Sequence, residues 1–302
     1  MFARLPRITG SLALVGVLAV AVAGCGSSKK SSSTTTTTIT ALSKNATIAA
    51  QVPSAIRSKG TLVVAADATY PPNELIASNG KTVIGMDPDL ATALGQVMGL
   101  KVATHNVTFD AIIPGLAAKK YDLGMSSFTD TKERQKTVDF VTYLIAGTEF
   151  YVKASGGPAI NTLADLCGHT VAVEKGTTQA TDATAQSKKC KSAGKAGVTV
   201  QLFPDQNGAN LALSSGRAQV GMADSPVADY LVKKSNGQFK TTGKVYGTAP
   251  YGIAIPKNNG MAKPILAALK ELMAKGTYKA VLTKWGIHHF AISNPKINGA
   301  VS

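Results

Sequence analysis

The sequence predicts an α/β protein of two lobes joined by a two-stranded hinge, on three observations. Short apolar runs of strand character alternate with stretches of helical periodicity, the alternation starts afresh in the second half, and short hydrogen-bonding side chains follow the strand ends. A length of 302 residues is enough for about two ordinary domains, each with its own core. With 44% hydrophobic and 16% charged residues, 29 glycines and 13 prolines, the composition excludes wholesale disorder, collagen and coiled coil. The formal charge is +15, but the lysines are scattered and no basic stretch alternates with aromatics. The excess therefore reads as a solvated cationic surface, with no nucleic-acid partner expected.

Residues 1–24 read as a secretory leader. Arg4 and Arg7 precede the apolar run 12–23, which holds no acidic residue and is short for a membrane span. Its end, Val22-Ala23-Gly24-Cys25, resembles the bacterial lipobox, in which cleavage leaves a cysteine whose thiol accepts diacylglycerol. A plain membrane anchor with an incidental cysteine is the alternative. No later apolar stretch approaches 18 residues, so the expected mature protein is exported and held at the membrane by lipid on Cys25. Losing Arg4 and Arg7 with the leader leaves +13. Residues 26–40 contain eleven Ser or Thr in fifteen positions and almost nothing apolar, a composition that cannot pack. Residues 25–50 are accordingly expected to be a flexible tether, with folding starting near Val52.

The expected first lobe covers 51–150, the second 151–248, a returning segment 249–290 and a tail 291–302. Residues 61–66 form an apolar run that breaks at Asp67 and Pro71-Pro72, as a buried strand ending in a loop does. Leu90, Ala93, Leu94, Val97 and Met98 follow helical spacing, and Gly99 closes that helix. Residues 101–107 are strand-like, Ile112, Ile113 and Leu116 share a helical face after the possible cap Asp110, and 121–125 are strand-like again. The second half repeats the pattern with strands at 169–173, 198–203 and 219–222, separated by helices from Thr177 and from Asn207. Residues 150–155 and 251–256 are extended runs near the two ends of the second lobe, and are expected to carry the chain between lobes. The stretches 261–275 and 278–285 look helical and are expected to pack back on the first lobe.

Cys167 and Cys190 are the remaining thiols, and export places them in an oxidising compartment, so the even pair suggests one disulfide; two buried free cysteines are the alternative. No metal and no cofactor are expected. The four histidines, His105, His169, His288 and His289, lack ligand spacing, and neither a Ser-His-Asp order nor a phosphate loop is present.

Ligands of open α/β sheets bind beyond the carboxyl ends of the strands. Those ends carry Asp67-Ala68-Thr69-Tyr70, Ser126-Ser127-Phe128-Thr129, Gly176-Thr177-Thr178-Gln179 and Asp224-Ser225. Two of the four come from each half, so facing lobes would line one cleft from both sides.

These residues also carry a family resemblance. Lys59-Gly60-Thr61-Leu62, Asp67 to Pro72, Gly85-Met86-Asp87-Pro88-Asp89-Leu90, Tyr121-Asp122, Thr131-Lys132-Glu133-Arg134 with Asp139-Phe140, Gly176-Thr177-Thr178, Gly216-Arg217 and Ala223-Asp224 resemble, in that order, the family 3 extracytoplasmic solute-binding proteins. The resemblance runs from about Pro53 to Gly286. It implies a type II periplasmic-binding-protein-like fold, a monomer that closes on a free amino acid, and delivery to the permease of an ABC importer.

Residue by residue, Arg134 stands where the family grips the ligand's α-carboxylate, and a planar guanidinium offers two parallel charge-assisted bonds that lysine cannot reproduce. Ser127 and Thr129, beside Ser126, would add hydroxyl contacts, and Thr178 with helix-start N–H groups would complete the anion site. Asp224 matches the acceptor of the α-ammonium. Asp67 and Tyr70 match positions that meet a cationic or imidazole side chain in relatives, with Tyr70 adding cation–π attraction. Glu174 favours a cation too, whereas Lys175 would neutralise it, so a basic ligand is only modestly favoured over neutral or acidic ones. Met86 replaces the family's usual aromatic after Gly85, and Asn73 the one after Pro72.

Each assignment has a plainer counterpart. Arg134 stands in a charged segment that would suit a solvated helix face, Asp224 precedes Ser225-Pro226 as a helix cap does, Asp67 suits a turn and Tyr70 suits rim packing. A few proteins on this scaffold resemble cyclohexadienyl dehydratases, for which Glu174 or Asp67 would serve as acid or base. The zwitterion set favours a binder over a catalyst.

Overall fold

The computed structural model describes residues 42–300; the leader, Cys25 and most of the expected tether lie outside the described residues. The folded part begins earlier than Val52. Asn45 caps α1 (Ala46–Gln51) by accepting from the Thr47 and Ile48 N–H groups, and Ile48 and Ala49 are buried. Residues 45–50 thus belong to the folded body, because two apolar side chains on one face of a capped turn find a surface to cover. After α2 (Ser54–Lys59), Gly60 adopts φ 68° and turns the chain into β1 (Thr61–Ala66).

The short strands β2 (Thr69–Tyr70), β3 (Glu74–Ile76) and β4 (Val83–Ile84) form a small antiparallel sheet that the apolar pattern did not signal. α3 (Met86–Met98) ends at Gly99, φ 71°, with its expected apolar positions buried. β5 (Lys101–Asn106), α4 (Phe109–Ala117) and β6 (Leu123–Gly124) follow as expected. Asp110 lies inside the first turn of α4 rather than capping it.

β7 (Val138–Lys153) is a single strand of 16 residues. The second lobe then runs β8 (Thr170–Glu174), α5 (Thr178–Ser192), β9 (Thr199–Phe203), α6 (Gln206–Ser214), β10 (Val220–Asp224) and α7 (Ser225–Lys234). β11 (Phe239–Pro256) has 18 residues and pairs antiparallel with β7. α8 (Ala262–Ala274) and α9 (Thr277–Lys284) close the body.

The described strands form a continuous sheet of order β5-β1-β6-β11-β7-β10-β8-β9. One end of the β7–β11 ribbon, where Phe140 opposes Ala254, belongs to the first lobe, and the other, where Lys153 opposes Phe239, belongs to the second. The register slips on either side of the Thr148–Tyr246 pair, which marks the two-stranded crossing. The crossing therefore lies just before the run 150–155 and just before 251–256: Phe150 and Val152 already pack in the second lobe, Ile253 and Ile255 in the first.

The first lobe has a large core in which Leu62, Val64, Leu90, Leu94 and Met98 meet Ile265 and Leu269 of the returning helices. Phe109, Ile112, Phe128 and Phe140 form a further cluster in that lobe. The second lobe is filled by smaller groups, with Val171, Val173, Val220 and Met222 around Ala180 and Ala183, and α6 packed through Ala209 and Ala212. Cys167 and Cys190 are joined in a disulfide across a separation of 23 residues, which ties α5 to the turn before β8. The C-terminal stretch is pinned as well: Ala291 and Ile297 bridge to Leu144 and Val141, and the Asn298 N–H donates to the Phe140 carbonyl at 2.9 Å. Among the described residues no helix is long and apolar enough to cross a membrane.

Candidate functional site: the cleft between the lobes

The first-lobe wall starts where β1 ends. The Asp67 carboxylate accepts from Thr69 N and Oγ1 at 3.1 and 2.7 Å and from Phe109 N at 2.9 Å, an Asx turn that also holds the start of α4. Its own N–H donates to Ser126 Oγ, and Ser126 Oγ donates to Glu74 Oε1. Ser127, at φ 53°, donates its hydroxyl to Glu74 and its N–H to Asp87 Oδ2, which also accepts from Tyr143 Oη at 2.9 Å. Glu74 and Asp87 are wholly buried. Burial, then the Asp87 charge, push the Glu74 carboxyl well above the ordinary range.

Arg134 follows from the loop before β7. Its Nη1 donates to Thr129 O at 2.9 Å, and its Cζ lies 5.3 and 5.4 Å from the ring centroids of Phe109 and Phe128. Burial lowers the guanidinium to about 10, with Asp224 acting in the opposite direction, so it stays charged at neutral pH.

The second-lobe wall consists of strand ends and one helix start. β8 delivers Glu174, 3% exposed, whose Oε1 has no hydrogen-bond partner. Burial raises this carboxyl well above its usual value, and the neighbouring Asp67 charge raises it further. Gly176 turns at φ 82° against Asp110, and a Cβ there would sit 3.0 Å from the Asp110 Cβ. Thr177 caps α5 by accepting from Ala180 N, leaving first-turn N–H groups of Thr178 and Gln179 without partners inside the helix. Gln179 Nε2 donates to Thr148 Oγ1 and to Asp224 Oδ1, and burial raises Asp224 to about 6.

Contacts from lobe to lobe close the cleft. Asp224 N donates to Tyr70 Oη at 2.8 Å, Gln206 N to Thr69 Oγ1 at 3.2 Å and Arg134 Nη2 to Gly176 O at 3.0 Å. Lys175 Nζ meets Asp110 Oδ2 at 2.7 Å. That last pair corrects one expectation: Lys175 is engaged by Asp110 at the cleft edge and does not line the cavity with Glu174. Between the walls lie about 300 Å³ of space, and the bonds across it hold the lobes closed on a narrow slot.

Asp67, Tyr70, Ser126, Ser127, Thr129, Arg134, Glu174, Thr178 and Asp224 all line this cavity. Met86 does not. As the first residue of α3 it points into the first-lobe core and is wholly buried there. The hydroxyls of Ser126 and Ser127, expected to face a ligand, are instead used within the wall to bind Glu74. The plainer readings of Asp67 and Asp224 hold alongside the cavity ones, since Asp67 makes its turn and Asp224 stands at the N-cap of α7, without a side-chain cap bond. Sequence reasoning missed Glu74, Phe109, Thr177 and Gln179. Gln179 and Thr177 sit in the strand-end segment 176–179, so position alone pointed to them. Phe109 and Glu74 are brought in by folding of the loops after β5 and Pro72.

A model of bacterial extracellular solute-binding proteins, family 3, matches residues 62–288. The chain belongs to that family. Among relatives of this solute-binding protein, the arginine-binding protein ArgT of Corynebacterium glutamicum is 33% identical over 252 residues, covering 83% of this chain and 82% of the relative. ABC transporter arginine-binding protein 1 of Escherichia coli K12 is 32% identical over 224 residues, 72% of this chain and 87% of the relative. An ancestral amino acid-binding protein, a precursor of cyclohexadienyl dehydratase, superposes with a TM-score of 0.69 at 34% identity, covering 77% of this chain and 98% of that one. The fold of this family 3 protein is thus the type II binding-protein fold, and its role is substrate binding, as in relatives that serve ABC transporters.

Proposed function

We propose that the protein is the lipid-anchored, extracytoplasmic receptor of an ABC importer, that it closes on a free basic amino acid, arginine foremost, and that it hands this ligand to the permease. The observation that carries the reading is the charge balance of the cavity. Asp67, Glu74, Glu174 and Asp224 line it, against Arg134 as the one cationic side chain among its lining residues. Taking carboxylates out of water is expensive unless a cation meets them, and an ordinary zwitterion brings no net charge. A basic amino acid offers its carboxylate to Arg134 and the α5 start, its ammonium to Asp224 and a second cation to Asp67 and Glu174. The Glu174 Oε1 is buried without a hydrogen-bond partner, beside the Asp67 carboxyl. The arginine-binding relatives support the same choice.

Capture couples to closure, because the charges that complete the ligand's shell stand on opposite lobes. Release to a permease then requires breaking the bonds that Tyr70, Thr69, Arg134 and Asp110 make across the cleft. Calorimetry of the protein lacking residues 1–25 against the twenty amino acids, ornithine and citrulline tests the reading. Arginine should bind tightest with lysine and ornithine behind it, and heat with glutamate alone would overturn the choice of ligand.

One observation favours a second reading. A carboxyl raised well above its ordinary value by burial, as Glu174 is, suits a general acid on the dehydratase-like scaffold. Incubation with prephenate or arogenate decides it, since release of product would make the cleft catalytic.

A further inference from the structure

Strand alternation places a second polar group behind the hinge. On β7, Thr148 takes the Gln179 amide in the cleft, so the next residue, Glu149, faces away from it. Glu149 is 8% exposed and its Oε2 has no hydrogen-bond partner. Burial, with Asp229 nearby, raises this carboxyl to about 7. Where β10 passes into α7, the same division separates Asp224 in the cleft from Ser225 behind it. Ser225 is 3% exposed, and its Oγ too lacks a partner.

Both orphaned groups line one groove of about 310 Å³, together with Asp229 and His289. Its apolar walls include Ile145 and Val245, two of the most exposed large hydrophobic side chains among the described residues, at 38% and 45%. No lysine or arginine lines it; Lys233, Lys234 and Lys284 face the adjoining groove instead. The residues come from α7 of the second lobe, both hinge strands and the turn at 288–290 that follows the first-lobe helices.

A buried carboxylate oxygen and a buried hydroxyl without partners are each costly, and the remedy for both is a donor carrying positive charge. We propose that this rear groove is a second binding site, for a small organic ammonium whose apolar body lies on Ile145 and Val245 and whose N–H groups bind Glu149, Ser225 and Asp229. The site is separate from the amino-acid cleft and does not rest on the identity of the ligand proposed there. No lysine or arginine lines it to grip a carboxylate, and two carboxyls do line it, so it selects amines over amino acids.

The test uses n-butylammonium chloride as the probe, on the full-chain protein, followed by calorimetry and saturation-transfer NMR. Saturable binding is expected in the wild type and in Asp224→Asn, and it should persist when the cleft is filled with arginine. Glu149→Gln should weaken it about tenfold or more, the scale of one charge-assisted bond, while retaining amino-acid binding as proof of folding. Asp229→Asn, on the solvent side, should weaken it about threefold and carries the test if Glu149→Gln does not fold. Absence of saturable binding, equal binding in wild type and the carboxamide variants, or competition by arginine would each overturn the proposal. The last outcome would assign the amine to the cleft and leave the amino-acid reading intact.

Discussion

Glu74, Asp67 and Asp87 in the first lobe are tied to one another through Ser126, Ser127 and Tyr143, whereas in the second Asp224 is held by Gln179 and, through its N–H, by Tyr70, and Glu174 keeps an unpartnered Oε1 beside Asp67. The cores differ in the same sense. The first-lobe core is the larger, built round leucines and methionines, while the second lobe is divided among smaller clusters and carries the disulfide. The difference teaches that the first lobe presents a preformed wall, and the second a wall that ligand must complete. Asp87 Oδ1 is unpartnered too, but it lies behind the cavity lining, whereas the orphaned Glu174 oxygen belongs to a lining residue, and a wall tied together by its own bonds holds its shape better without ligand.

Arg134→Ala is the strongest way to break this comparison. On the proposed reading the change would leave the ligand carboxylate buried and unpaired, so amino-acid affinity by calorimetry should fall by about 2–5 kcal/mol. Near-wild-type affinity would mean that the first-lobe wall does not grip the ligand. Replacing Cys167 and Cys190 with serine comes next. Opening a loop of this length should cost about 3 kcal/mol, and hydrogen exchange should show the loss in α5 and β8 with α3 and α8 protected as before. Uniform loss over both lobes would contradict the contrast in their cores.

A pH series sharpens it further. Asp224 is raised to about 6 from 3.8, so between those values the folded chain binds more protons than the unfolded one, and this group's contribution falls as pH rises. Glu149, raised to about 7, acts with the same sign. Ligand-free protein should therefore melt higher at about pH 5 than at about pH 7. Amino-acid affinity should run the other way and drop as pH falls through about 6 if, as proposed, the ligand ammonium pairs with the ionised Asp224. Lys175→Ala should have the smallest effect. With Lys175 60% exposed, the pair with Asp110 is screened by solvent, and affinity should change by less than about 1 kcal/mol in calorimetry.

The apolar spacing of Leu90 to Met98, with Gly99 behind it, made α3 legible because a helix burying one stripe writes its period into the chain. The strand-end segments at 67–70, 126–129 and 176–179 were legible for a similar reason: parallel strands open their carboxyl ends to ligand whatever the rest does. β2, β3 and β4 were not legible, since two- and three-residue strands leave no periodicity to read. Helix α1 was obscured by the Ser/Thr-rich run before it, although Asn45 and the pair Ile48-Ala49 were there to be weighed. Met86 was misplaced because the residue after Gly85 can turn toward the cleft or the core, and only the direction of the α3 start decides which.

By itself the sequence determined the alternation of strands and helices, the two-lobed plan, and which short polar side chains follow the strand ends, because these depend on local period and chain order. Tertiary structure alone decided which of those side chains remain free. Ser126 and Ser127 spend their O–H donors on Glu74, Lys175 is drawn out to Asp110, and Glu174 is left with an unpartnered oxygen beside Asp67. A hydrogen-bonding group can satisfy only a few partners at once, and which ones come within about 3 Å is fixed by the packing of elements far apart in the chain.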